Sequence, residues 1–493
     1  MVDQAAIDAI RAVVVPTQAH FIDGAHVKSE DTLDVLSPID GTRLTGIGRG
    51  TQREIAKAVA AARRAFDQKS WAGQSPAARK KVLLRLTELI ERDALELAVL
   101  GVRDNGTEIG MALKAEPGSC AGTFRYYAEA LDKVYGEIAP TDPQFLGLIH
   151  HEPVGVVGAI LPWNFPMMIG AWKIAPALAM GNSVVVKPPE TASLTLLKLA
   201  ELASEAGLPD GVLNVVTGRG DEAGSALALS LDVDVLVFTG SGGIGRKLLE
   251  YSAQSNLKRC YLELGGKSPN VIFDDVDDIQ EAAKVSATAI FRNSGQVCVA
   301  GSRLIVAKSI HDQFVDALCA EAAKLTVGDP LDLSSKIGAV NSLTQLEQNL
   351  RFVDTAKAEG ADVAFGGNRI LDATGGYYMV PTVMTGVKRN DTLNQKEVFG
   401  PVLAVTAFED EAEAVDLANS TNLGLASAVW TSNLSRAHRM VRAIKAGVVH
   451  VNTYGGADNT VPLGGVGQSG NGHDKSLYAL DKYVDLKTAW IKL

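Results

Sequence analysis

At 493 residues the chain exceeds what one hydrophobic core supports, since cores stop growing near roughly 250–300 residues, so at least two domains are expected. Its 46% hydrophobic and 21% charged composition is that of a globular protein, and a net charge of −10 excludes a nucleic-acid partner whose phosphates it would repel. Four cysteines (Cys120, Cys260, Cys298, Cys319) make neither a disulfide framework nor a zinc motif, so reduced thiols, no metal and a cytoplasmic setting are expected. The first residues, MVDQAAIDAIRAVVVP, carry acids and no long apolar run, so they do not read as a signal peptide. No apolar run approaches the roughly 18 residues of a membrane span.

In chain order, residues 50–66 and 76–101 have helical periodicity, as in Ile55, Ala58, Val59, Ala62 and Ala65. From Pro153 strands and helices alternate. The strands are 155–160, 183–187, 212–216 and 234–238; the helices are 167–180, 192–206 with Thr191 as a cap, one near 222–230, and one from about Ser241. Short apolar strands between amphipathic helices predict a doubly wound parallel sheet. A second β/α series follows Gly266: strands 270–273 and 303–306, helices 278–292 and 309–324, then strands 402–408, 426–430 and 448–452. The apolar alternating end, 483–493, is a strand that has to pair with something, and a neighbouring subunit is the expected partner.

Three positions invite chemistry. Cys298, in FRNSGQVCVAGSR, follows Gly295 and Gln296, which suggest an exposed turn; a lone cysteine is more often a buried packing residue, but a thiolate is the best side-chain nucleophile for a carbonyl carbon. Glu263, in LELGGKSP, sits at a strand end before two glycines and is expected to face open space, although a plain surface acid reads the same way. Asn164 lies between prolines in PWNFP, a stiff turn suited to an oxyanion-holding amide or simply to a rigid loop. GSGGIG (240–245) fits the dinucleotide fingerprint after a strand and before a helix, which alone is as compatible with a tight turn.

Taken together, PWNFP (162–166), KPPE (187–190), FTGS (238–241), LELGGKSP (262–269), GQVC (295–298) and EVFGP (397–401) stand in the order found in the aldehyde dehydrogenase superfamily, which the chain resembles from about residue 20 to its end. YYAEALDKVYGE (126–137) and the segment 468–493 look closest to bacterial aminoaldehyde dehydrogenases, including the γ-glutamyl-γ-aminobutyraldehyde type. The resemblance implies an α/β aldehyde dehydrogenase-like fold. A Rossmann-like NAD-binding domain would comprise 1–137 and 155–264, a catalytic domain 265–467, and an oligomerisation arm 138–154 and 468–493, giving a homodimer or homotetramer. It implies Cys298 as nucleophile, Glu263 as general base and Asn164 in the oxyanion hole. For the cofactor it implies Trp163, Lys187, Glu190, Gly220, Phe238, Gly240, Ser241, Gly245, Glu397 and Phe399, with Lys187 and Glu190 on the adenosine ribose and Glu397 on the nicotinamide ribose. The reaction implied is NAD-dependent oxidation of an aldehyde to the acid through a thioester. Glu190 would repel a 2′-phosphate, which favours NAD over NADP.

The implied substrate tunnel is lined by Phe165, Trp172, Arg292, Ala457 and Leu463. Leu463 and Ala457 replace bulkier residues and suggest a wider mouth. Arg292 stands where aminoaldehyde relatives have an aromatic and where succinic semialdehyde dehydrogenases have an arginine for the substrate carboxylate; the second arginine of that group falls at Trp172, so the pair is incomplete. An arginine turned to solvent or to a nearby acid is the alternative. A CoA-acylating relative is another reading, opposed by Glu263, since such enzymes need no base for water; a fold that lost its activity is a third, opposed by intact Cys298, Glu263 and Asn164.

Overall fold

The computed structural model describes residues 3–456 and 458–493. Ala457, one of the expected tunnel positions, lies outside the described residues.

Five parallel strands, Val156–Ile160, Ser183–Lys187, Leu213–Val215, Val235–Thr239 and Arg259–Glu263, form the heart of a seven-stranded sheet. Numbered along the chain they lie side by side as fifth, fourth, first, second, third. The winding therefore reverses between Val156–Ile160 and Val235–Thr239, the place where doubly wound sheets open a ligand crevice. The register aligns Ile160 with Lys187 and Thr239 with Glu263, so four strands end at one edge. Most of these strand residues are buried, as a sheet covered by helices on both faces requires. An antiparallel hairpin, His20–Ile22 and Ala25–Val27, closes the far edge.

The second series forms another seven-stranded sheet, ordered Asp362–Phe365, Thr382–Thr385, Val402–Phe408, Arg303–Ala307, Pro269–Ile272, Ala426–Trp430 and Val448–Val451. Only its first strand runs antiparallel. The terminal strand Val484–Lys492 finds its partner within the chain, pairing antiparallel with all of Phe145–Pro153, and Glu137–Ala139 adds a third strand. That sheet leaves Trp490 61% and Leu493 75% exposed.

Two sequence expectations need correction. The helix expected over 76–101 is two, Pro76–Arg92 and Ala94–Asn105, broken at Asp93, whose carboxylate pairs with Arg92. The halves serve different cores: Leu83, Leu86 and Leu89 pack with Trp71 and Phe124, whereas Ala98, Val99 and Val102 pack with Ile7 and Ile109. Thr191 does not cap its helix, which begins at Leu194; the Leu194 N–H donates instead to the buried Asp104 carboxylate at 2.9 Å. The helix expected near 222–230 is present as a π-helical turn, Gly220–Gly224, that runs into Ser225–Leu229. The hairpin Thr32–Leu36 with Arg43–Gly48, and the helices Leu343–Ala358, Glu411–Ala418 and Leu434–Ala443, are further elements of the fold.

Candidate active site

At the reversal point a cleft of about 560 Å³ runs between the two large sheets. Trp163, Asn164, Lys187, Glu190, Gly220, Phe238, Gly240, Ser241, Cys298, Glu397 and Phe399 all line it, joining residues up to 236 positions apart in the chain (163 to 399). Gly245 lies under its helix instead, where a Cβ would meet the Leu264 side chain at 2.9 Å, so it brings helix and strand together.

The cleft changes character along its length. At one end Lys187 Nζ lies 3.1 Å from Glu190 Oε2, and Glu190 Oε1 accepts the Gly220 N–H at 2.6 Å. Burial lowers the Lys187 amine below the usual lysine range. Next comes the start of helix Gly242–Gln254, with Ser241 Oγ accepting the Ile244 N–H at 3.4 Å. A Cβ on Gly243 would meet nothing within 4 Å, so the helix's unpaired amides are open to an anion. At the other end the Trp163 and Phe399 rings meet edge to face at 5.2 Å. Phe399 holds a left-handed φ of 58°. The side-chain amide of Gln345, from a helix with no counterpart in the sequence reading, donates to Val398 O at 3.0 Å and Phe399 O at 3.3 Å and braces that turn.

The LELGGKSP, GQVC and EVFGP stretches meet at the two glycines. A Cβ on Gly265 would fall 2.0 Å from a Glu397 carboxylate oxygen, and one on Gly266 would fall 2.5 Å from the Cys298 carbonyl. Only residues without side chains let the Glu397 carboxylate and the thiol's backbone come this close. Glu397 Oε1 accepts the Gly266 N–H at 2.9 Å, and burial raises its carboxyl to about 7.

The turn carrying the thiol is buried, which corrects the exposed turn expected from Gly295 and Gln296. Gln296 is 1% exposed, and Cys298 is half-buried on the cleft wall. Asn293 and Ser294, with Gly295 after them, hold positive φ angles of 49°, 53° and 70°. Non-glycine residues held this way cost on the order of 1–3 kcal/mol each unless their surroundings fix them. Here the Asn293 N–H donates to Glu108 Oε1 at 3.2 Å, Thr107 Oγ1 donates to Asn293 Oδ1 at 2.8 Å, and the Asn341 N–H donates to Gln296 Oε1 at 2.8 Å. Asn164 Nδ2 donates to Gln296 O at 2.9 Å, so the amide is anchored to the thiol's own turn. Tyr454 Oη donates to Val299 O at 2.7 Å from the other side. Asn105, whose Nδ2 donates to Asn164 O at 3.5 Å, escaped the sequence reading together with Thr107, Glu108, Asn293, Asn341 and Tyr454. The polar run RDNGTE (103–108) inside an otherwise apolar stretch was the one local signal for the first three.

Burial, then Glu397 and Glu263, push the Cys298 thiol up to about 12, opposed by the Val299 N–H and the Arg292 charge. Glu263 does not face open space as its sequence setting suggested. It is 7% exposed, Oε1 has no hydrogen-bond partner among the described residues, and a Cβ on Gly472 would lie 3.7 Å from that oxygen. Burial, then Asp474, raise its carboxyl well above the usual range against the pull of Lys173 and Lys482.

Of the expected tunnel residues, Phe165 and Trp172 are buried in one cluster with Ile169, Phe291 and Val297, and Leu463 packs partly buried against them. Arg292 follows Phe291 of that cluster in the chain, and a Cβ on Gly455 would lie 3.4 Å from its guanidinium. Its Nε is buried without a hydrogen-bond partner, and it forms no ion pair among the described residues. No group of three or more His, Cys, Asp or Glu that could hold a metal ion occurs among the described residues.

A crevice at a winding reversal, a helix start beside it and a thiol on the same wall form the frame of an oxidoreductase-type site. Residues 26–489 match the aldehyde dehydrogenase family, and the chain belongs to it. It is 46% identical over 475 residues to the NADP/NAD-dependent aldehyde dehydrogenase PuuC of Escherichia coli, covering 96% of this chain and 95% of that one. The crystal structure of γ-glutamyl-γ-aminobutyraldehyde dehydrogenase from Burkholderia cenocepacia superposes with a TM-score of 0.98 at 47% identity, covering all of both chains. The P. syringae AldA indole-3-acetaldehyde dehydrogenase, solved as a mutant with NAD+ and IAA, superposes with a TM-score of 0.98 at 45% identity over all of both chains.

Proposed function

We propose that this aldehyde dehydrogenase oxidises an aldehyde to its carboxylic acid with NAD through a thioester on Cys298. The observation that carries the reading is the thiol's place in one cleft with Glu397, Phe399 and the Lys187–Glu190 pair. The residues fit the cofactor. Lys187 and Glu190 would hold the adenosine ribose, the open helix start after Ser241 the pyrophosphate, and Glu397 with Phe399 the nicotinamide riboside. Glu190 would repel a 2′-phosphate, which favours NAD over NADP, although one relative's name carries both.

Cys298 attacks the aldehyde carbon after giving up a proton that its buried setting holds tightly in the resting site. The developing oxyanion meets an Asn164 amide whose other contact, to Gln296 O, fixes its direction. A preset donor of this kind is worth on the order of 3–4 kcal/mol. Nicotinamide supplies an acceptor for the hydride that leaves the aldehyde carbon. Glu263, turning from its place behind the wall toward the thiol, takes a proton from the water that cleaves the thioester. Glu263→Gln should give a burst of NADH, then slow turnover, with the acyl group trapped on Cys298 by mass. An unchanged steady-state rate would assign water activation to another group, and a rate dependent on added CoA would favour an acylating enzyme.

Arg292 supports a second reading about substrate. The names of two relatives, an aminoacetaldehyde dehydrogenase of Pseudomonas aeruginosa and the γ-glutamyl-γ-aminobutyraldehyde dehydrogenase of Burkholderia cenocepacia, point to aminoaldehydes or their acylated forms. A guanidinium without an ion pair beside the tunnel disfavours a free ammonium by roughly 1–4 kcal/mol and would gain a comparable amount from a carboxylate. Acylated aminoaldehydes, neutral aldehydes and semialdehydes are therefore the favoured classes. Arg292→Phe should narrow or reverse the preference for succinic semialdehyde over 4-aminobutyraldehyde in kcat/KM. A ranking that favours 4-aminobutyraldehyde in both enzymes refutes the reading.

The split into an NAD-binding domain, a catalytic domain and an arm follows the two large sheets and the small one. The exposed Trp490 and Leu493 on the arm support a homodimer or homotetramer. Four unpaired thiols suit a reducing compartment such as the cytoplasm.

A further inference from the structure

Behind the wall that carries Glu263 lies a sealed group of charges outside the cleft. Lys173, on helix Pro166–Ala179, pairs with Asp474 Oδ2, and Lys482 Nζ donates to Asp474 Oδ1 at 2.5 Å. Their exposures are 1%, 1% and 4%. One carboxylate with two ammoniums leaves a positive charge uncompensated in a dry interior, a costly state unless another anion faces it. Glu263 is the acid placed to supply it: a Cβ on Gly472, which neighbours this group, would lie 3.7 Å from its Oε1, that oxygen has no hydrogen bond among the described residues, and both lysines favour its ionised form against the burial that raises its carboxyl. The other ionisable neighbours are tyrosines Tyr127, Tyr261 and Tyr483, with Lys475 on the far side of Asp474 and Cys298 beyond Glu263. The Lys482 ammonium lies 5.4 Å from the Tyr483 ring centre.

A second cavity, of about 380 Å³, opens on this side of the wall. Gly472, next to the Glu263 carboxyl, and Lys482 both line it, together with Tyr261, His473, Tyr478 and Asp481. Lys482 thus joins the buried Asp474 to a space separate from the cofactor cleft.

We propose that Lys482 is a positioning residue for water activation: its charge keeps Glu263 ionised, and the proton that Glu263 takes from water leaves through Lys482 into this second cavity. The inference rests on the reading of Glu263 as the base. Glu263, Asp474, Lys173 and Lys482 are neutral as a group in two ways. Either both carboxylates are ionised and both lysines protonated, or Glu263 is protonated and Lys482 is a free amine. The two hold the same number of protons and differ only in whether one of them sits on Lys482 or on Glu263. In deacylation a water O–H bond breaks, its oxygen bonds to the thioester carbon, and the C–S pair leaves on the Cys298 sulfur. The proton goes to Glu263, which brings the buried group to a net charge of +1. Lys482 relieves that charge by releasing a proton to water in the cavity, and the Glu263 proton then replaces it.

Three variants of the full-length enzyme, assayed with NAD and aldehyde, test this. Lys482→Met removes the compensating charge, so ionising Glu263 would leave the group at −1. The acidic limb of kcat against pH should move up by about one unit or more. Near pH 7.5 steady-state kcat should fall on the order of 10–100-fold while the NADH burst and the aldehyde KM stay near wild type. Lys482→Arg keeps the charge but cannot release its proton. Its acidic limb should stay at the wild-type pH while kcat remains several-fold low, and this variant carries the test if Lys482→Met does not fold. Wild-type kcat in Lys482→Arg overturns the exit route, and a wild-type pH profile in Lys482→Met overturns the charge role. Glu263→Gln separates the layers. If it shows no burst with slow turnover, the base assignment itself fails; if it does and the Lys482 variants behave as wild type, only the Lys482 proposal falls.

Discussion

Two lysine–carboxylate groupings in this molecule serve opposite ends. Lys187 and Glu190 sit on the cleft, with Glu190 41% exposed on its side chain, whereas Lys173, Asp474 and Lys482 are sealed behind Glu263. In the first pair only Glu190 reaches water while Lys187 is buried beside it, so Glu190 is the member free to exchange its partner for a ligand hydroxyl. A sealed group has no such freedom: each charge must be balanced by another inside the same dry space, so its members titrate together. Binding is served by the open pair and proton handling by the closed one.

The largest test of that division is Cys298→Ala. It should abolish turnover, on the order of 10⁴-fold or more, with no acyl adduct by mass spectrometry. NAD affinity by fluorescence titration should stay within about twofold, because the cofactor groups on the cleft do not depend on the thiol. Parallel loss of both would show that the two functions are not separable.

A sharper comparison pairs Asp474→Asn with Glu190→Gln. The first strands two buried ammoniums and should destabilise by about 3–5 kcal/mol in urea unfolding. The second weakens a contact between a half-exposed carboxylate and a buried amine at the cleft and should cost less, on the order of 1–2 kcal/mol. Yet Glu190→Gln, and not Asp474→Asn, should raise kcat/KM with NADP relative to NAD. Equal stability losses would show that the sealed group is not truly dry.

The smallest effect concerns pH. Glu116, fully buried, accepts the Met167 and Met168 N–H groups at 2.8 and 3.0 Å, and burial raises its carboxyl to about 8. The unfolded chain would titrate near 4.5. Between those values the folded state holds the extra proton, so this contribution to stability is full below about 4.5 and fades as pH rises through about 8. Glu116→Gln should narrow the stability difference between pH 5.5 and 8.5 by up to about 3 kcal/mol. A difference as wide as wild type would assign the pH dependence to Asp104 and Glu108, also raised to about 7 by burial.

What the sequence determined by itself was whatever local pattern carries. Alternating apolar runs located the parallel strands, since a strand buried on both faces has to be apolar throughout. Short motifs located Cys298, Asn164, Lys187, Ser241 and Glu397, because turn geometry and close approach restrict the residue types within a few positions. Only the tertiary structure decided the environment of those groups. That Glu263 faces a sealed Lys–Asp–Lys group rather than open space depends on residues 90 to 219 positions away from it (173 and 482). That the helix after Thr191 begins on Asp104, and that Arg292 meets Gly455 and forms no ion pair among the described residues, likewise depend on distant segments. Burial and charge balance are properties of the packed interior, and no stretch of neighbouring residues encodes them.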